Sequence, residues 1–65
     1  MRRELAGMTL DQAAKWESEQ CWEVLRAAEL GRISEAVFHS LLDGIINDYT
    51  EYLRAYSMGL IVREG

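Results

Sequence analysis

Apolar positions recur every three or four residues through two long stretches of the chain, with a short interruption between Gly31 and Ser34. That period is the signature of amphipathic α-helices, and no strand-like alternation competes with it. In the first stretch, "TLDQ" (Thr9 to Gln12) sets a hydroxyl at an N-cap and an amide three residues on. The two form a capping box, which satisfies otherwise unpaired amide hydrogens at a helix start. Helix 1 is therefore expected from about residue 9 to about residue 30, where Gly31 supplies the left-handed conformation that ends a helix. Ser34 caps the next helix, and Ile33 and Phe38 flank it at the spacing of a hydrophobic staple. Helix 2 is expected to run from about 34 to about 58, with Gly59 closing it and Leu60 to Val62 forming a short apolar tail. A turn over 31–34 is short enough to make the helices antiparallel neighbours. The expected fold is all-α, a single helical-hairpin domain over 1–65.

At roughly 100° per residue, helix 1 gathers Leu10, Ala13, Ala14, Cys21, Val24, Leu25 and Ala28 into one stripe with Glu17 as its acidic intruder. Most of these side chains are small, so a second helix is expected close by, with Cys21 near Gly44 and Gly44 kept for that contact. Glu17 is expected to be satisfied by a tyrosine hydroxyl or an arginine, because an unpaired buried carboxylate is costly. Helix 2 carries a broader apolar arc: Phe38, Leu41, Leu42, Ile45, Ile46, Tyr49, Tyr52, Leu53 and Tyr56. The small stripe of helix 1 cannot cover that arc, and Trp16 and Trp22 fall on opposite flanks of helix 1, where an isolated hairpin would leave them wet. Two hairpins packed as a four-helix bundle would bury the excess, with Trp16, Trp22, Phe38, Leu41 and Ile45 at the dimer interface.

Length sharpens that expectation. A chain of 65 residues buries only about 60% of its unfolded surface and usually needs a metal, disulfides or a partner subunit. Disulfides within the chain are excluded by its single cysteine, Cys21, which also fits a reducing, cytoplasmic setting. The net charge is −4, with acidic side chains spread along the chain. A conventional nucleic-acid surface is not expected without a basic patch. The longest apolar runs are three residues, so nothing is expected to span a membrane, and the opening "MRRELAG" lacks the apolar stretch of a signal peptide.

Candidate chemistry is sparse. Glu35, His39 and Asp43 lie at four-residue intervals, but the three-residue Glu-x-x-His spacing of bundle metal sites is absent. They read as a solvated boundary, with no metal. Cys21 sits in an apolar stripe without a nearby histidine and reads as a buried, inert thiol. No catalytic set or phosphate-binding loop can be assembled, so neither an enzyme nor a cofactor is expected. The series Tyr49, Tyr52 and Tyr56 has helical spacing, which fits a core or a dimer interface. It also fits a partner-docking face, since tyrosine and tryptophan are enriched in binding hot spots.

The ends of the helices add a comparison. "MTLDQ" (Met8 to Gln12), "YTEYLR" (Tyr49 to Arg54) and the following Gly59 and Leu60 resemble the opening and closing motifs of the NblA proteins, the phycobilisome-degradation adaptors of cyanobacteria and their phages. The resemblance implies a non-enzymatic hairpin that dimerises and that attaches to phycobiliproteins and a protease chaperone. It also implies that Leu53 and Arg54 contact the phycobiliprotein. The chain departs from that family at Met58, where the family has a tryptophan. The functional expectation is a small cytoplasmic adaptor or regulatory homodimer that binds a larger protein through Tyr49, Tyr52, Leu53, Arg54 and Tyr56. The alternative is an acidic, phage-encoded inhibitor that fills the basic groove of a nucleic-acid-handling protein with Glu19, Glu23, Asp43 and Glu51.

Overall fold

The computed structural model describes residues 2–60, which form a short 3-10 turn, Arg3–Gly7, followed by helix α1, Leu10–Glu29, and helix α2, Glu35–Ser57. No strand occurs among the described residues. Every helix end is closed by residues within a few positions of it. Thr9 Oγ1 accepts from the Gln12 amide at 3.2 Å while Gln12 Oε1 accepts from the Thr9 amide at 2.9 Å, so both arms of the capping box are made. Gly31, at φ 71°, ends α1 in a Schellman motif: its amide donates to Ala28 and the Arg32 amide to Ala27. Ser34 Oγ accepts from the Val37 amide to start α2. Gly59, at φ 74°, repeats the Schellman pattern through Tyr56 and Ala55. Leu60 is exposed, and Ile61 and Val62 of the expected tail lie outside the described residues.

The helices lie antiparallel, since the start of the chain bonds to the far end of α2. Tyr52 Oη donates to the Met8 carbonyl, and Arg2 Nε donates to Asp48 Oδ2 at 3.0 Å. These contacts belong to an element absent from the sequence-based expectation. The 3-10 turn folds back over the open end of the hairpin and places Leu5, fully buried, against both helices. The core that results is Leu5, Ala13, Trp16, Ile45 and Tyr52. It sits where three elements meet. Toward the Gly31 turn, where only two helices are in contact, Val24 and Leu42 stay half-buried and Val37, Leu41 and Leu25 are exposed.

That geometry corrects three expectations. Trp16 is only 8% exposed, because the N-terminal turn covers it and the Arg2 guanidinium lies 5.4 Å from its ring centroid. Drawing Trp16 inward rotates α1, so that Ala13 faces α2 while Leu10, Ala14 and Leu25, expected on the contact stripe, are exposed. Gly44 is exposed, and a Cβ built on it would meet nothing within 4 Å. No close approach to Cys21 explains that glycine. Replacing Gly44 with alanine should therefore not push the helices apart, and should raise stability by about 1 kcal/mol through helix propensity. A denaturant titration that finds Gly44→Ala destabilising would show that a second molecule approaches this backbone.

Candidate interaction surface

The molecule measures 43 × 16 × 15 Å, one helix layer with almost no depth in which to hide side chains. Arg2 touches Trp16 on α1 and Asp48 on α2, so these two residues mark one face of the hairpin. By helical geometry the opposite face carries Leu10, Ala14 and Leu25 from α1 and Leu42, Ile46 and Leu53 from α2. Each lies roughly 60° to 120° from the buried Ala13 or Ile45. Ile46 is 51% exposed, Leu10 42%, and Leu25 and Leu53 39% each. No other element of the described chain crosses this side, whereas the Arg2 side is roofed at its open end by the N-terminal turn.

Glu17 and Cys21 also lie on the open face, one turn apart on α1. The thiol donates to Glu17 Oε2 at 3.5 Å, so the intruding carboxylate finds its partner in a cysteine rather than in a tyrosine or an arginine. Burial pushes the Cys21 thiol above its usual pKa, and its hydrogen bond to Glu17 and that carboxylate's charge push it further. A raised pKa means less thiolate at neutral pH, the opposite of what a nucleophile needs. The three tyrosines form a ladder: Tyr49 and Tyr52 stack with centroids 6.5 Å apart, and Tyr56 tilts against Tyr52 at 5.9 Å. Tyr52 is fully buried at its centre, and burial raises its phenol pKa, with Tyr56 and Tyr49 adding to the shift.

Both shifts carry the same sign for stability. A group whose pKa is higher in the folded state stabilises the fold fully below its unfolded value, and that contribution is lost as pH climbs through the folded value. The ordinary values are 9.0 for the thiol and 10.0 for the phenol. Thermal melts should therefore be flat through neutral pH and fall steadily above about pH 9. Tyr52→Phe should flatten the most alkaline part of that fall. A wild-type melting temperature unchanged up to pH 11 would contradict the burial of both groups.

Of the residues expected at a dimer interface, Trp22 and Leu41 are exposed and Phe38 is half-buried, but Trp16 and Ile45 are already enclosed by their own chain. Of those expected to dock a partner, Leu53 and Arg54 are exposed, Tyr49 and Tyr56 are half-buried, and Tyr52 is enclosed and bonded to Met8. The Arg2, Leu5 and Met8 roof escaped sequence reasoning. Its signals were Leu5 and Met8, apolar residues in an opening too short to show a period. Glu35, His39 and Asp43 are all exposed, with His39 Nε2 at 3.7 Å from Glu35 Oε1. Among the described residues no group of three or more potential ligands could hold a metal ion. No helix of the described chain is long and apolar enough to cross a membrane. No family model, curated protein or solved structure matches the chain.

Proposed function

We propose that this chain is a small non-enzymatic adaptor or regulatory protein that acts as a homodimer and binds a larger protein through its helix surfaces. The observation that carries the reading is the open face of Leu10, Leu25, Ile46 and Leu53, exposed together on the side that the N-terminal turn leaves bare. Two such faces packed together make a four-helix bundle and supply the depth that one hairpin lacks. Sedimentation equilibrium should find a dimer at low micromolar concentration. A stable monomer there would remove the bundle.

The most specific version of this reading is a phycobilisome-degradation adaptor, supported by the "MTLDQ" and "YTEYLR" motifs and by the accessibility of Leu53 and Arg54. It predicts binding to isolated phycobiliproteins that Arg54→Glu abolishes. A cytoplasmic place and a protease-chaperone partner belong to the same version. The acidic-inhibitor reading, phage-encoded or otherwise, draws on the exposure of Glu19, Glu23, Asp43 and Glu51. Binding that collapses in moderate salt would favour it, since exposed charges are screened while apolar docking is not.

A further inference from the structure

Trp22 is the largest side chain that the hairpin leaves outside, 66% exposed. It sits roughly 180° around α1 from the buried Ala13, so neither α2 nor a second copy seated on the Ile46 face reaches over it. The indole separates two shallow hollows. One is lined by Glu19, Glu23 and Arg26, the other by Glu17, Cys21 and Leu25 together with Ser18. Among the described residues neither Glu19 nor Glu23 has an ion-pair partner, and Arg26 bounds its hollow without stacking on Trp22.

The same molecule shows what such a constellation holds. At Trp16 an indole and a carboxylate enclose a guanidinium: Arg2 lies 5.4 Å from the ring centroid and bonds Asp48 at 3.0 Å. Trp22 with Glu19 and Glu23 repeats the indole and the carboxylates, and although Arg26 borders them, its guanidinium does not lie on the ring. We propose that the Trp22 ridge docks a basic amphipathic segment of a partner protein. An arginine of that segment lies on the indole and pairs with Glu19 and Glu23. Arginine on an aromatic face gains both the cation–π and the carboxylate contact. Exposed tryptophans in such settings are the residues on which binding energy concentrates. The chain's net charge of −4 draws the same kind of partner. This assignment rests on the reading of the chain as an interaction protein but not on its dimer.

The test is calorimetric binding of an amphipathic arginine–leucine peptide of about four helical turns, with a glutamate–leucine peptide of the same length as its counterpart. The arginine peptide should bind, and the glutamate peptide should not. Trp22→Ala should weaken binding by about tenfold or more. Glu19→Gln with Glu23→Gln should weaken it several-fold and flatten its salt dependence, while Ile46→Glu should leave it unchanged. Should Trp22→Ala disturb the helix, Glu19→Lys with Glu23→Lys at exposed positions must still abolish binding. Unchanged affinity in Trp22→Ala would overturn the proposal in favour of diffuse charge attraction. Loss in Ile46→Glu would move the site to the open apolar face. A blue shift of the Trp22 emission that grows with protein concentration alone would assign the ridge to a second copy.

Discussion

Leu5→Ala should cost the protein about 2–5 kcal/mol, the usual range for emptying a fully buried leucine site. Leu5 has no exposed surface, and among the described residues it is the fully buried core side chain that comes from outside the two helices, with Met8 packed partly buried beside it. A single core in a chain this small rarely supplies more than about 3–5 kcal/mol. The substitution should therefore lower the melting temperature by roughly 10 °C or more or release the N-terminal turn outright. The two outcomes look different. Release of the turn uncovers Trp16 and Tyr52, so tryptophan emission shifts to the red while helical circular dichroism persists. Arg2→Ala is the comparison: its ion pair with Asp48 is solvent-accessible on the arginine side, and such pairs contribute about 0–1 kcal/mol. An unchanged melt and emission in Leu5→Ala would mean that the turn does not hold the hairpin together.

Ile46→Glu should convert the proposed dimer to a monomer. Ile46 is half-exposed in the hairpin and lies centrally along α2 on the open face. Burying an isoleucine contributes roughly 1.5–3 kcal/mol. A carboxylate at the same place adds a desolvation penalty and, across a two-fold axis, a second like charge. Together these should raise the dissociation constant by about a hundredfold or more, at 1.4 kcal/mol per factor of ten. The melting temperature of the wild type should rise with protein concentration, because assembly stabilises only the folded chain, and that dependence should vanish in the variant. Sedimentation equilibrium across a dilution series reads the first effect. A variant that remains dimeric would place the interface on Val37 and Leu41, the exposed apolar residues on the other side of α2 near the turn.

The two expected results concern opposite faces of the same hairpin and differ in how far the sequence could announce them. Ile46 and Leu53 belong to an arc too wide for one small helix to cover, and that surplus is plain from spacing alone. Which part of the arc stays open is not. It depends on Trp16, which periodicity sets on a flank and the folded chain turns inward beneath Arg2. The tyrosine series shows the same limit. Spacing put Tyr49, Tyr52 and Tyr56 on one face, but only the Met8 carbonyl, 44 positions away in sequence, decides that Tyr52 is a core residue.

What the sequence determined by itself is the boundaries of α1 and α2: Thr9 with Gln12, Gly31, Ser34 and Gly59 all act where expected. Each acts on backbone groups within about five residues, where hydrogen bonding is directional and the chain has few alternatives. What only the tertiary structure decided is which apolar residues lie inside, that Gly44 meets nothing, and that residues 2–8 roof one face and leave the other open. Apolar burial has no direction and no fixed sequence separation. A lone leucine at position 5 therefore carries no sign of where it will pack until the two helices have made a groove for it.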